Sequence, residues 1–503
     1  IYSRAGDLQA LQVTVEVLLT NGLPALSIVG LPETAVKESK DRVRGAIING
    51  QLYIPIRRIT INLAPADLPK EGGRFDLAIA LGILIASEQL LIQSRSKTSE
   101  MIRQYEFVGE LALSGELRPV KGILPVAIQA KKHKRILIVP LHNGEEAALV
   151  KDLQVMTANH LLEVCAFLKG ETSLQQAQIN DPAGDINSEV MCLSDIRGQH
   201  QAKRALEIAA AGQHSLLMQG PPGTGKTMLA SRLVTILPDM NEQEAEEIAA
   251  IRSVCGESVN SQNWLARSFR SPHHTASGVA LVGGGSSPRP GEISLAHQGV
   301  LFMDELPEFD RKVLEVLREP LESGKIMISR ASRQVEFPAK FQLITAMNPC
   351  PCGYFGDSHN QCRCSSGQIR RYQSKLSGPF LDRIDIHIEV PALAHQELYS
   401  AASQQETSAT VKQRIVRAQT RQRERRGHFN ARLNNKEIEM DCCLSEDNQK
   451  LLQRSMDKMK LSARAYHRIL KLARTIADLD NSDTIAIQHL SEAIGYRKVA
   501  YTR

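Results

Sequence analysis

Three short apolar runs in the middle of the chain predict strands of a buried parallel sheet. They are residues 216–218, 299–303 and 341–347, and each run ends at glycine, carboxylate or amide side chains. The first run is followed by a glycine-rich stretch and then by residues 228–233, whose pattern is helical. Apolar strands that alternate with helices are typical of α/β folds, in which helices cover the faces of a parallel sheet. We therefore predict an α/β core.

The regions on either side have different patterns. Residues 1–170 alternate strand-like and helical segments and end on the helical stretch 161–168. Residues 171–190 are rich in Gln, Asn, Asp and Ser, which is typical of a linker. The α/β core is then expected over 191–395, and the helical, charged remainder 396–503 is expected to form a lid.

The glycine-rich stretch fits the pattern GxxxxGK[ST] of a phosphate-binding loop. Glycines let successive backbone N–H groups point at phosphate oxygens, and the following helix adds the partial positive charge of its N-terminus. A lysine at this position reaches the β- and γ-phosphates, and the hydroxyl after it binds Mg²⁺. A glycine turn without a ligand is the alternative, but the strand–loop–helix context favours an ATP site. The loop consists of Gly220, Pro221, Pro222, Gly223, Thr224, Gly225, Lys226 and Thr227.

Polar side chains at the ends of the other two runs suggest that the nucleotide is hydrolysed. Asp304 and Glu305 follow the second run, and carboxylates at the end of a buried strand are costly unless they serve a cation or a water. We expect Asp304 to bind the Mg²⁺ shell and Glu305 to activate the attacking water. Asn348 follows the third run and can hydrogen-bond the γ-phosphate. Ordinary strand ends would explain any one of these residues, but explain the set less well.

On these residues the chain resembles AAA+ ATPases, and more narrowly the magnesium-chelatase-like branch that contains the ComM/YifB family. The resemblance also includes residues 195–199, 381–385 and 462–464. It implies a P-loop core with a helical lid and ring assembly as a homo-hexamer.

The same resemblance assigns four further site residues. It implies that Ile196 and Gly198 border the adenine, that Arg383 is an arginine finger offered to the neighbouring subunit, and that Arg464 is the sensor 2 arginine. An ion pair within its own chain is the alternative for Arg383, and a place among other bases on a helix is the alternative for Arg464.

The first region has a resemblance of its own, to the Lon-protease domain with its S5-like α+β fold. Residues 69–76 match the stretch that carries the peptidase serine, and Arg74 stands in place of that serine. Leu124 stands in place of the lysine base. Without a nucleophile and a base the domain cannot perform acyl transfer by that mechanism, so a peptidase-inactive binding or assembly domain remains. Arg74, Lys70 and Lys121 are candidates for phosphate-backbone contacts, with solvated surface charge as the alternative.

Composition restricts the remaining classes. The chain has 503 residues, 42% hydrophobic and 23% charged, and a net charge of +6, which permits a polyanionic partner. The longest apolar stretch, residues 77–86, is too short to span a bilayer, and no secretory signal is visible. We expect a soluble, cytoplasmic protein without a membrane partner.

Four of the nine cysteines are clustered directly after Asn348. Their thiolates would suit a tetrahedral Zn²⁺, although the one-residue spacing within each pair is tighter than the usual two to four. Free thiols in a reducing compartment are the alternative. The cluster consists of Cys350, Cys352, Cys362 and Cys364.

Residues 325–337 read as a β-hairpin before the third strand of the core. In related ring helicases this hairpin projects into the pore and contacts DNA, so Arg330 and Arg333 at its turn are candidates for phosphate contacts. A solvent-facing basic turn is the alternative. Only 4% of the residues are aromatic, which favours backbone tracking over base stacking.

The sequence thus predicts a ring-forming ATPase that moves DNA. By the family resemblance, it would be a helicase that promotes branch migration of recombination intermediates in natural transformation, acting on single-stranded and branched DNA. A chelatase-like ATPase that remodels a protein partner is the alternative from another class. A nucleotide-regulated scaffold is disfavoured because Asp304, Glu305 and Asn348 occur together.

Overall fold

The computed structural model describes most of the chain and divides it into two compact units. The first unit comprises Ile1–Asp185 together with Asn241–Ala266, and the second comprises Ile186–Met240 together with Arg267–Arg503. For positions 34, 35, 329, 330 and 333 only the backbone is described. The described ranges are 1–5, 7–68, 70–90, 100–179, 191–285, 288–330, 333–357, 360–392, 405–459 and 461–497.

The first unit is built on an eight-stranded mixed sheet with the order β10-β9-β8-β5-β1-β2-β4-β3. Strand β2 is antiparallel to both β1 and β4, whereas β5, β8 and β9 run parallel to one another. Its strands are β1 Tyr2–Arg4, β2 Gln12–Thr20, β3 Ala25–Val29, β4 Arg58–Ala64, β5 Tyr105–Phe107, β8 Ile136–Pro140, β9 Val155–Ala158 and β10 Gln175–Gln176, with a separate ribbon of β6 Glu110–Leu111 and β7 Leu117–Arg118.

Helices pack around this sheet. The helix Asp76–Ala86 is almost entirely buried, because its apolar residues face the sheet on one side and other helices on the other. The helices are Thr34–Lys37, Ser39–Asn49, Asp76–Ala86, Ile123–Lys132, Leu141–Ala148, Leu161–Lys169 and Glu242–Cys255.

The helix Glu242–Cys255 is distant in sequence from the rest of the first unit. The sequence placed it within the predicted core 191–395, but it packs against the helix Ile123–Lys132. The Ser253 carbonyl accepts the Gly122 N–H at 2.9 Å, and the Ser253 hydroxyl donates to Glu146 Oε1 at 2.6 Å. Apolar contacts through Ala249 and Val259 complete this shared core.

The second unit contains a five-stranded sheet in which every pairing is parallel, with the order β12-β15-β18-β11-β19. The three apolar runs form the adjacent strands β15, β18 and β11, and all residues of these strands are buried. Helices cover both faces, as expected for a parallel sheet. The α/β prediction is confirmed. The strands are β11 Leu216–Gln219, β12 Phe269–Arg270, β15 Val300–Met303, β18 Gln342–Met347 and β19 Ile386–Glu389.

The helices around this sheet include the one that follows the phosphate-binding loop. They are His200–Gly212, Lys226–Ile236, Gly278–Val282, Glu292–Leu295, Arg311–Val316, Arg318–Ser323, Ser366–Gln373 and Gly378–Leu381. Two small hairpins extend from the core: β13 Gly283–Gly284 pairs with β14 Arg289–Pro290, and β16 Lys325–Arg330 pairs with β17 Arg333–Pro338.

The carboxyl-terminal part of the chain is helical, as the pattern predicted. Buried amide side chains fasten it to the core: Gln419 and Gln422 donate to the carbonyls of Ala210 and Ala211 at 2.9 and 3.1 Å. These carbonyls belong to the last turn of a helix and would otherwise lack partners. The helices are Ser408–Arg426, Asn435–Asp441, Glu446–Met459, Ala463–Leu479 and Ile487–Gly495.

Candidate nucleotide-binding site

The phosphate-binding loop lies between β11 and the helix Lys226–Ile236. Gly220 needs to be glycine because a Cβ there would lie 2.2 Å from the Val390 carbonyl oxygen. Gly223 and Gly225 have φ angles of +79° and +82°, and a Cβ at either position would meet open space. No side chain caps the helix, so its first N–H groups are available to an anion. The loop therefore offers an open cradle of donors that fits a phosphate chain.

Lys226 already lies in this cradle. Its Nζ donates to the carbonyls of Gly220 and Pro221 at 2.8 and 2.7 Å and lies 3.3 Å from Asn348 Oδ1. Burial lowers the pKa of Lys226, and the nearby Asp304 carboxylate works against that shift. An ammonium held by neutral carbonyls gains a counterion when anionic phosphate arrives, so the contacts favour an exchange of carbonyls for phosphate oxygens.

The residues expected to hold Mg²⁺ meet at the carboxyl ends of β11 and β15. The Thr227 hydroxyl donates to Asp304 Oδ2 at 2.7 Å, and the other Asp304 oxygen accepts the Glu305 N–H at 2.9 Å. Oxygen ligands of this kind suit Mg²⁺, which retains several waters and binds one or two protein oxygens. The donor set therefore fits the ion.

Glu305 has a partner of its own, different from that of Asp304. Its backbone is in the left-handed region at φ +51°, and its carboxylate is about half exposed. The Glu305 Oε2 lies 3.0 Å from His274 Nδ1. The Glu305 carboxylate is thus paired with an imidazole.

The sequence did not assign a role to His274. It lies four residues after β12, beside β15 in the sheet, and its ring packs 4.2 Å from that of His273. The sequence signal was the pair of adjacent histidines, His273 and His274, beside Arg270. Because parallel strands end at the same edge, a residue after β12 can reach one after β15.

The remaining predicted residues differ in their exposure to solvent. Ile196 and Gly198 are buried in the segment before the helix His200–Gly212, and Gly198 has a φ of +58°. Arg464 is exposed in the first turn of the helix Ala463–Leu479. Ser462, which caps this helix, lies 3.4 Å from the Asp382 carboxylate.

Arg383 is held by its own chain. Only 7% of it is exposed, and its guanidinium donates to the Pro379 carbonyl at 2.7 Å and pairs with Glu322 at 2.7 Å. The partner is neither Asp382 nor Asp385, the carboxylates that flank it in sequence. An arginine finger at this position would have to leave Glu322, whose side chain is 56% exposed.

The β16–β17 hairpin has the predicted form. Its register pairs Lys325 with Pro338 and continues to Arg330 opposite Arg333. Ile326, Ile328 and Phe337 are buried at its base. The two residues between Arg330 and Arg333 lie outside the described residues.

Lys70 and Arg74, in the stretch that resembles the serine region of the Lon peptidase, are buried. Lys70 is fully buried and its ammonium donates to the Pro65 carbonyl. Arg74 is 8% exposed and donates to the Lys121 carbonyl at 2.5 Å, and burial lowers its pKa to about 10. The suggestion that these two contact a phosphate backbone is wrong for this conformation, because neither reaches the surface. Lys121 is exposed.

A parallel sheet that ends in a phosphate-binding loop, paired acids and an amide, followed by a helical region, defines a magnesium-chelatase-like AAA+ protein. Three family models agree: magnesium chelatase subunit ChlI over residues 192–398, subunit ChlI of Mg-chelatase over 15–143, and the ChlI C-terminal model over 405–497.

Full-length relatives give the narrower family. The chain is 53% identical to the competence protein ComM of Haemophilus influenzae, over 99% of this chain and 97% of the relative. It is 51% identical to the uncharacterized protein YifB of Escherichia coli over the same shares. Lon protease 2 of Bacillus subtilis is 27% identical over 31% of this chain and 32% of its own length. The chain belongs to the ComM/YifB family, as its motifs predicted.

This membership indicates ATPase activity and is consistent with ATP and Mg²⁺ at the site described. The first unit contains the match to subunit ChlI of Mg-chelatase, over residues 15–143. None of the helices in the described ranges has both the length and the apolar character that crossing a membrane requires.

Proposed function

We propose that the protein is a ring-forming, ATP-dependent DNA motor, a helicase that promotes branch migration of recombination intermediates during natural transformation. The observation that carries the proposal is the convergence of Lys226, Thr227, Asp304 and Asn348 at one sheet edge, in a chain that matches a competence protein over nearly its whole length. The proposed partners are single-stranded and branched DNA, and the proposed assembly is a homo-hexamer in the cytoplasm.

The roles in hydrolysis follow from the contacts. Lys226 and the first N–H groups of its helix bind the phosphates of ATP, and Asn348 orients the γ-phosphate through the side chain that now faces Lys226. Mg²⁺, when bound, would neutralise negative charge on the phosphates. Thr227 and Asp304 are the residues that would hold it.

Glu305 is the proposed general base. It accepts a proton from the attacking water, and release from His274 is required before its carboxylate can turn toward the phosphates. A positioned base contributes on the order of 10²–10⁴-fold to such reactions. Glu305→Gln should therefore bind ATP yet hydrolyse it at least about 100-fold more slowly. Unchanged turnover would remove Glu305 from this role.

In the proposed ring, Arg383 completes the neighbouring subunit's site and Arg464 contacts nucleotide from the lid. Within the described residues Arg383 pairs with one carboxylate, Glu322, and it would exchange that pair and the Pro379 carbonyl for a phosphate of the adjacent subunit. Ile196 and Gly198 are proposed to border the adenine.

The test of the motor is steady-state ATP hydrolysis with and without single-stranded and branched DNA, at low and moderate salt. Lys226→Ala serves as the blank. Stimulation by DNA that fades with salt would support a motor that contacts phosphates. Hydrolysis indifferent to every DNA would contradict it and favour the alternative, an ATPase that remodels a protein partner.

The proposed DNA contacts are Arg330 and Arg333, which lie opposite each other at the end of the hairpin. Replacing both with alanine should reduce DNA stimulation while basal hydrolysis remains near wild type. A matched control is Lys325→Ala, at the base of the same hairpin, where Lys325 pairs with Glu336 at 2.8 Å. Loss of basal and stimulated activity together, or equal loss of stimulation in the control, would contradict the assignment.

A further inference from the structure

The four clustered cysteines bring their sulfur atoms into one compact group. All four Sγ atoms lie within 4.8 Å of one another. Cys350 and Cys352 are 3.4 Å apart, Cys350 and Cys362 are 3.7 Å apart, and Cys352 and Cys362 are 3.6 Å apart. Cys350 is completely buried and the other three are partly buried.

These separations exclude a disulfide and match a single tetrahedral ion. A disulfide requires sulfurs about 2.05 Å apart. Metal–sulfur bonds of about 2.3 Å in a tetrahedron place the sulfurs about 3.8 Å apart, close to the three separations between Cys350, Cys352 and Cys362. Thiolates select soft ions, and zinc is the ion typical of a four-cysteine structural site without redox chemistry.

The one-residue spacing within each pair does not prevent this arrangement. Cys350 and Cys352 form one pair and Cys362 and Cys364 the other, and the Cys364 N–H lies 3.4 Å from the Cys362 sulfur. An N–H directed at a ligating sulfur is a usual supporting contact in such sites. Each pair is thus a tripeptide that supplies two sulfur ligands.

The position of the cluster connects it to the nucleotide site. Asn348 lies two residues before Cys350, and the Gln373 amide donates to the Pro349 carbonyl at 3.2 Å. Gly353 lies so close to the phosphate-binding loop that a Cβ there would be 2.6 Å from Pro222 Cδ. The segment 350–353, which contains the first cysteine pair, therefore packs directly on the phosphate-binding loop.

We propose that Cys350, Cys352, Cys362 and Cys364 bind one structural zinc ion that holds this segment, and with it Asn348, against the phosphate-binding loop. Zinc binding stands on the sulfur geometry alone. Only the effect on hydrolysis rests on the proposed function of the nucleotide site.

The first experiment measures metal in the full-length protein, purified without a polyhistidine tag, by inductively coupled plasma mass spectrometry. One zinc per chain is expected. Iron in place of zinc, or less than about a tenth of an equivalent of any metal, would overturn the proposal. Treatment of the same protein with a thiol-modifying reagent should release that equivalent of zinc to a chromogenic chelator. This measurement uses the wild-type protein, so it does not depend on whether a cysteine variant folds.

Matched variants test which residues hold the ion. Cys352→Ser should lose zinc, and Cys352→His should retain it because three cysteines and one histidine form a known structural set. The control is Cys443→Ser, since Cys443 is exposed and contacts only the Glu439 and Met440 carbonyls in the described part of the chain. Equal zinc loss in the control, or full zinc in Cys352→Ser together with Cys362→Ser, would overturn the assignment.

The positioning role has a separate readout. Zinc-free Cys352→Ser should hydrolyse ATP at least about fivefold more slowly and bind a fluorescent ATP analogue more weakly, and Cys352→His should recover both. Full hydrolysis by a zinc-free variant would overturn the positioning role and leave the metal site intact. Zinc present together with a wild-type protein inactive on ATP would instead contradict the proposed function.

Discussion

Asp385 joins three parts of the second unit through one buried carboxylate. It lies directly before β19, and it accepts the backbone N–H of Ser215, which directly precedes β11, at 3.2 Å. The same carboxylate lies 3.3 Å from His214 Nδ1 and pairs with Arg468 on the helix Ala463–Leu479. Removing it should weaken the attachment of the helical region to the sheet, so we choose Asp385→Ala as the perturbation.

The magnitude follows from burial. Truncating one partner of a buried ion pair costs about 3–5 kcal/mol, because it leaves the other partner without compensation. For a domain of this size, 1 kcal/mol shifts the midpoint of thermal unfolding by about 2–4 °C. Asp385→Ala should therefore lower Tm by on the order of 10 °C. The matched control is Asp239→Ala, whose exposed pair with Lys412 is worth less than about 1 kcal/mol.

The pH dependence gives a second check. Burial opposes ionisation of Asp385, but Arg468, His214 and Arg497 outweigh it and hold the pKa of this carboxyl well below its usual range. A carboxyl with a lowered folded-state pKa stabilises the fold above its unfolded pKa of about 4 and loses that effect only in stronger acid. The Tm difference between wild type and Asp385→Ala should thus be constant from about pH 6 to 8. Scanning calorimetry measures it, and a shift no larger than that of Asp239→Ala would refute the reasoning.

Three further expectations concern single side chains. Burial and then Arg497 lower the pKa of His387 to about 3. Unfolding exposes a stronger base, so the stability of the fold decreases as pH drops below about 6.5. His387→Gln should reduce the loss of Tm between about pH 7 and 5.5, and an equal slope in both proteins would contradict this. His274→Ala frees Glu305 from an exposed pair and should raise basal ATP hydrolysis by up to about fivefold. A coupled assay measures the rate. An about tenfold loss of rate would instead make His274 part of catalysis. Arg74→Met removes a buried guanidinium, one nitrogen of which has no hydrogen-bond partner among the described residues. DNA affinity and Tm should both stay nearly unchanged. Weaker DNA binding in a filter assay would contradict the burial of Arg74 inside the first unit.

Much of the second unit was predictable because its sequence signals are local. Three apolar strands, each with polar residues at its carboxyl end, imply that those residues share one sheet edge. The contacts of Lys226 with Asn348 and of Thr227 with Asp304 join residues that the sequence had already singled out. The hairpin pairing followed in the same way from alternating residues and a turn.

What the sequence did not reveal depends on contacts between distant segments. Lys70 and Arg74 read as surface charges because a basic residue is rarely buried, yet backbone carbonyls of Pro65 and Lys121 accept their protons inside the first unit. The pairing of His274 with Glu305 was not predicted, because it depends on β12 lying beside β15, and one sequence does not give the order of strands in a sheet. The packing of 241–266 in the first unit likewise depends on partners more than 90 residues away in the sequence.

Residues 241–266 belong to the first unit, and the chain returns to the second unit at Arg267. The two ends of this insertion are joined within the second unit by Arg267, whose guanidinium donates to the Pro238 carbonyl at 2.7 Å and to the Gln298 carbonyl at 2.6 Å. From Arg267 the chain continues through β12 and reaches His274, the partner of Glu305, after only seven residues. The contacts of Arg267 and the pairing of β12 with β15 thus stand along the chain between this insertion and His274, so elements of the second unit set the position of that imidazole.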